Sequence, residues 1–193
     1  MNQLIIFIKN PVKGKVKTRL AASIGDNKAL EIYLKLIGFT LRIAADTKAK
    51  THLFFSDHLI DNYDGDTKNI QQGNNLGERM KNAFHSVIEG EETKTLIIGT
   101  DCAELHSEII QLAFEQLETH DLVIGPAQDG GYYLLGMKKY FPEIFNDIEW
   151  STSEVFNKTL LIAKNNSKSV FLLPVLRDID TEDDLFTLSK TEL

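Results

Sequence analysis

The sequence predicts an α/β chain of three layers, with helices on both faces of a mainly parallel sheet. Short apolar runs of strand length alternate with longer segments of helical period, which is the pattern of strands joined by crossover helices. The runs 4–8 and 95–98 are too short for helices and read as strands buried within the sheet. A length of 193 residues with 42% hydrophobic and 25% charged residues fits one ordinary domain, 1–193, that buries a proper core.

The elements follow in order. Residues 4–8 form the first strand. Over 28–47, Leu30, Tyr33, Leu34, Ile37, Leu41 and Ala44 recur at three- and four-residue steps, which makes an amphipathic helix. Residues 51–55 are the next strand. Leu76, Met80, Ala83, Phe84 and Val87 share one face of a helix over 76–88, with Asn75 ahead of it as N-cap. The strand 95–98 closes on Gly99 and leads into GTDCAEL. Helical period returns over 106–117, and 122–124 is a strand ending in Gly-Pro. The Asp-Gly of AQDGG marks a tight turn or hairpin, so the strand 132–136 need not be parallel to the others. A helix over 152–163, a strand over 170–173 and a terminal helix over 181–188 complete the chain.

Charge excludes several classes of function. Lys plus Arg number 21 against 28 Asp plus Glu, a net charge of −7, the wrong sign for gripping a nucleic-acid backbone across the whole surface. The single cysteine, Cys102, closes no internal disulfide, which favours a reducing compartment. The five histidines are scattered singly, without metal-ligand spacing. No apolar run approaches a membrane span or a signal-peptide core, and a cytoplasmic protein is expected.

Against this acidic background, Lys9, Lys13, Lys15, Lys17 and Arg19 crowd into eleven positions, and no acid precedes Asp26. The first 25 residues carry +5, while the rest carry 16 cations and 28 acids. A strand, a loop containing Pro11 and Gly14, and a helix start near Thr18 and Arg19 would aim N–H groups and cations at one point, as in an anion site. A solvated basic loop is the alternative. The GxxxxGK[ST] spacing of a P-loop is absent.

In open α/β sheets ligands bind at the carboxyl ends of the strands, and Asp101 falls just beyond such an end. One or two carboxylates plus substrate phosphates usually hold Mg²⁺, so Asp101 opposite a cationic loop suits that ion. The alternative is a turn or cap role. In RDIDTEDDL, Thr181 and Asp184 form a capping-box pattern, which leaves Asp180 as a candidate to share a metal with Asp101. In QDGG, Asp129, Gly130 and Gly131 permit close approach of a ligand to the backbone, or form a plain turn. Gly73 and Gly77 in QGNNLGERM flank a helix start near which a base or sugar would fit. Cys102 reads as a small buried residue.

Together, KNPVKGKVKTRL, QGNNLGERM, GTDCAEL, GPAQDGGYYLLG and DIDTEDDL resemble, in order along nearly the whole chain, the DUF2064 family, also called transferase 1, rSAM/selenodomain-associated. That family belongs to the nucleotide-diphospho-sugar transferase superfamily, whose relatives include the 2-phospholactate and molybdenum-cofactor guanylyltransferases. The resemblance implies a glycosyltransferase-A fold and donor-phosphate contacts from Lys13, Lys17 and Arg19, with Gly14 letting the loop approach. It further implies Asp101 as metal carboxylate and Asp180 as second ligand. The family's GxDxPxL reads here as Gly99, Asp101, Ala103 and Leu105. The second Asp of the DxD motif of many glycosyltransferases would fall at Ala103.

The expected activity is a Mg²⁺-dependent transferase, with Mn²⁺ able to substitute. Its donor is a nucleotide-sugar or a nucleoside triphosphate, its acceptor an unidentified small molecule. Lys17 and Asp101 are the expected catalytic residues. The alternatives are a nucleotide-binding sensor or partner subunit without turnover, and a flavodoxin-like or Rossmann domain, whose GxGxxG or flavin loop is absent after the first strand.

Overall fold

The computed structural model describes residues 1–88 and 93–185. The seven strands are β1 (Asn2–Ile8), β2 (Lys50–Phe55), β3 (Thr67–Ile70), β4 (Lys94–Ile98), β5 (Leu122–Pro126), β6 (Tyr132–Met137) and β7 (Val170–Leu172). They form one sheet in the order β3-β2-β1-β4-β6-β5-β7. Every pairing is parallel except those of β6, which runs antiparallel to both β4 and β5. The Asp-Gly turn makes the β5–β6 hairpin, closed by Gly130 N–H donating to Ala127 O at 3.2 Å.

The helices are α1 (Thr18–Ile24), α2 (Asp26–Asp46), α3 (Leu76–Val87), α4 (Ser107–Gln116) and α5 (Val155–Asn165), with a 3-10 turn at Pro142–Phe145. Strand alternation divides the core. Leu4, Ile6 and Ile8 pack with Tyr33 and Ile37 of α2 and Ile110 and Phe114 of α4. Ile5 and Ile97 face the other way, onto Met80 and Phe84 of α3 and Ala163 of α5. Asn75 caps α3 as expected, accepting Glu78 N–H at 2.9 Å.

Three expectations need correction. β3 lies in a stretch for which the sequence predicts no element, because TKNI is a short edge strand without an apolar pattern. The helix after 152 starts later, at Val155. Thr152 Oγ1 donates to Glu149 O and accepts from Glu154 N–H, local bonds that hold these residues in a turn instead. The helix start expected near Thr18 and Arg19 is that of α1 (Thr18–Ile24), but α2 begins at Asp26 rather than at 28. Of the terminal helix expected over 181–188, residues 186–188 lie outside the described residues. Residues 181–184 form a bend and turn, in which Thr181 N–H donates to Asp184 Oδ2 at 2.8 Å, one half of the capping-box pattern, while the Thr181 hydroxyl donates to the same oxygen.

Candidate active site

The loops after β1, β4 and β6's hairpin open onto the carboxyl edge of the sheet. There they border a cleft of about 730 Å³ whose wall includes Lys9, Arg19, Tyr33, Asp101, Asp129 and Asp178, a volume within the usual range for small-molecule sites.

The basic loop leaves β1 through Asn10, which is buried. Its carboxamide ties the loop to the end of β2, accepting from Ser56 Oγ and Asp57 N–H and donating to His58 O. Val12–Lys15 is a tight turn, with Lys15 N–H donating to Val12 O at 2.9 Å. Gly14 at φ 75 occupies the third position of that turn, where left-handed backbone favours glycine. Lys13 is exposed on it. Val16 is buried, anchoring the loop, and Lys17 follows at φ 47, a strained conformation for lysine.

That conformation turns Lys17 inward at the N-terminus of α1. Its side chain is only 4% exposed, and its ammonium lies 2.6 Å from Asp101 Oδ1 and 3.2 Å from Asp180 Oδ1. Burial alone would pull the Lys17 pKa down, but the two carboxylates outweigh it and hold the pKa above the ordinary lysine value. Arg19, two residues on, donates to Asp180 Oδ2 at 2.9 Å.

Asp180 reaches this point because Ile179 N–H donates to Asp101 O at 2.9 Å, docking the C-terminal segment beside the β4 loop. Ile179 is buried with Ala103 and Leu36, so alanine at 103 fills a packed position beneath the carboxylates. The docking also brings Asp178 near Asp101. Burial and then the Asp101 charge push the Asp178 carboxyl up to about 7.

Tyr33 also belongs to the site, although its place in an amphipathic stripe marks it as core. Its hydroxyl accepts Lys9 N–H at 2.9 Å, donates to Lys9 O and lies 3.1 Å from Thr100 Oγ1, joining the ends of β1 and β4 directly before Asp101. Burial and the Asp101 charge push its pKa up.

The glycine-containing motifs separate. Asp129 and Gly131 line the cleft, and Asp129 Oδ1 accepts Gly131 N–H at 2.9 Å. Gly130, at φ 89, packs against Ser153, whose carbonyl oxygen would lie 2.1 Å from an added Cβ. Gly77 is buried beneath Trp150, with Cε2 at 2.2 Å from any added Cβ. In QGNNLGERM, Arg79 borders the cleft, its Nε donating to Gly73 O at 3.1 Å.

Among the described residues no three His, Cys, Asp or Glu side chains form a metal cage. Asp101 and Asp180 nevertheless already converge on one positive charge, the Lys17 ammonium. Such an all-oxygen pair suits Mg²⁺ or Mn²⁺ completed by phosphate oxygens, so these residues fit a hard divalent cation. No helix among the described residues is long and apolar enough to cross a membrane.

Residues 34–152 match the model of a family described as "Uncharacterized protein conserved in bacteria (DUF2064)". A crystal structure from Desulfovibrio desulfuricans G20, classed with the nucleotide-diphospho-sugar transferases, is 32% identical and superposes with a TM-score of 0.91 over 97% of this chain and 85% of that one. The inositol-1-phosphate CTP transferase of T. maritima is 12% identical, with a TM-score of 0.67 over 96% and 91% of the two chains. Rv0371c of Mycobacterium tuberculosis, crystallised with manganese, is also 12% identical, at 0.59 over 98% of each. The fold is that of the nucleotide-diphospho-sugar transferases. No curated protein matches the chain.

Proposed function

The chain belongs to the DUF2064 family, and from that premise we propose that it is a transferase that takes a nucleotide-sugar or nucleoside triphosphate as donor and passes a glycosyl or nucleotidyl group to a small-molecule acceptor. The observation that carries this reading is the meeting of Lys17 and Arg19 with Asp101 and Asp180, of which Arg19 and Asp101 line the cleft. The fold shared with a CTP transferase supports it.

In this reading the chain's own groups do electrostatic work. Lys17 and Arg19 bind donor phosphates and neutralise charge on the leaving group, a nucleoside diphosphate in sugar transfer or pyrophosphate in nucleotidyl transfer. Lys13 reaches the outer phosphates from its turn, and Gly14 gives that turn its shape. Tyr33 holds the β1 and β4 loops at a fixed separation, so these charges need little reorganisation during reaction. Asp129 and Gly131 border the bound reactants, while Gly77 and Gly130 contribute by letting Trp150 and Ser153 pack closely. Asp101 and Asp180 are the residues that would hold a divalent cation, whose contribution is to offset negative charge on phosphate oxygens. The manganese bound to Rv0371c, of the same fold, supports that assignment.

A thermal-shift panel of nucleoside triphosphates and nucleotide-sugars, with and without Mg²⁺ or Mn²⁺, tests the reading. A donor at 100 times its Kd adds about 2.7 kcal/mol, which raises the Tm of a chain this long by about 5 to 10 °C. A metal-dependent rise for one donor, followed by its turnover, is expected. Binding without turnover of any donor would favour a sensor or partner subunit instead, and no shift with any nucleotide would overturn the proposal.

A further inference from the structure

Charge is unevenly distributed along the cleft wall. Its cations, Lys9, Arg19 and Arg79, come from the end of β1, from α1 and from α3. Another stretch of wall comes from segments 129–133 and 150–155, which contribute Asp129, Trp150, Ser151 and Ser153 but no lysine or arginine.

This acidic stretch is built rather than loose. Gly130 backbone lies against Ser153, and Phe156 N–H donates to Gly130 O at 2.9 Å, so the two segments are fastened together. Gly131 N–H fixes the Asp129 carboxylate. Ser151 stands at φ 65, a conformation unfavourable for serine, and such strain gathers at ligand sites. Among the described residues neither the Ser151 nor the Ser153 hydroxyl is engaged in a hydrogen bond, and both residues are exposed.

We infer that this wall is the acceptor side of the cleft and takes an uncharged polyhydroxylated molecule, a sugar or cyclitol, in preference to a phosphorylated one. The inference deepens the transferase reading and rests on it. Carboxylates accept hydrogen bonds from hydroxyl groups, serine hydroxyls both donate and accept, and an indole offers apolar surface to C–H groups. A phosphate in the same position would face the Asp129 carboxylate with no cation supplied by either segment, and like charges so placed repel.

Trp150 is the only tryptophan of the chain, so its fluorescence reports on this wall. The test titrates the protein with myo-inositol and glucose, and with myo-inositol 1-phosphate and glucose 6-phosphate. Each titration is run alone and with Mg²⁺ plus the nucleotide that most raises Tm. At least one unphosphorylated compound should shift the emission saturably and bind at least tenfold more tightly than its phosphate ester. Asp129→Asn retains an oxygen for Gly131 N–H while removing the charge, and should shrink that preference severalfold. Equal or tighter binding of the esters, or no response to any of the four, would overturn the inference. If nucleotides still raise Tm in that event, only the acceptor class falls. If they do not, the transferase reading falls with it.

Discussion

The Lys17 ammonium sits 2.6 Å from the Asp101 carboxylate, although the lysine is nearly buried and the aspartate is about half exposed. The partners therefore differ in what their loss costs. Asp101→Ala leaves a buried cation with Asp180 as its remaining partner, and should lower unfolding free energy by about 1–3 kcal/mol. Lys17→Met removes the buried charge and returns Asp101 to water, so urea midpoints should change far less. Both variants should lose about 10²-fold or more in kcat. Equal stability losses, or wild-type turnover by either purified variant, would contradict this assignment.

Tyr33→Phe tests the bridge between the β1 and β4 loops. It removes a hydroxyl that bonds to Lys9 backbone and Thr100 without opening a large cavity. A loss of about 1–3 kcal/mol in urea unfolding is expected, together with about tenfold lower kcat at little-changed KM, as for a residue that positions charge. A KM effect alone would mean that Tyr33 serves only binding.

Gly77→Ala places a methyl group where the Trp150 ring already stands. The indole packs against Phe145, with ring centroids 6.3 Å apart, so making room for the methyl disturbs that contact. Alanine favours a helix over glycine by about 1 kcal/mol, but overpacking costs about 1–3 kcal/mol. The variant should be no more stable than wild type, and its Trp150 emission should shift. A clear gain in Tm with unchanged emission would refute the close packing.

Acid sensitivity should centre partly on Asp121. Its carboxylate accepts from Ser169 Oγ at 2.7 Å and Ser169 N–H at 2.9 Å, clasping the starts of β5 and β7, and these bonds hold its pKa below the ordinary value. A pKa lowered on folding stabilises the protein above the unfolded-state value of about 3.9, and that contribution is lost as pH falls through the folded value. Asp121→Asn should therefore be less stable than wild type at pH 7, with the gap closing between about pH 4 and the lower folded value. Urea unfolding at several pH values measures this, and a gap that stays constant down to pH 2 would contradict it.

Much of the fold was legible because its strands and helices differ in apolar period. The strand at 4–8 lies within β1, and the helix over 28–47 coincides with α2 to within two residues at its start and one at its end, since each buries a continuous face. β3 was not legible, because an edge strand of four half-exposed residues needs no such pattern. At the site, the excess of cations before residue 20 points to Lys17 and Arg19, and strand-end position points to Asp101. The bond from Ile179 to Asp101 O that brings Asp180 across 79 positions is made by backbone, to which side-chain pattern gives no clue. Tyr33 was hidden for a different reason: a tyrosine in a helical apolar stripe looks the same whether its hydroxyl is idle or joins two loops.

The central claim is that Lys17, Arg19, Asp101 and Asp180 surround the donor's phosphates. Crystals grown with Mn²⁺ and the nucleotide that gives the largest thermal shift test it directly, because manganese can be located by its anomalous scattering. The ion should lie against Asp101, with phosphate oxygens beside Lys17 and Arg19. An ion and phosphates bound away from these four side chains would contradict the account.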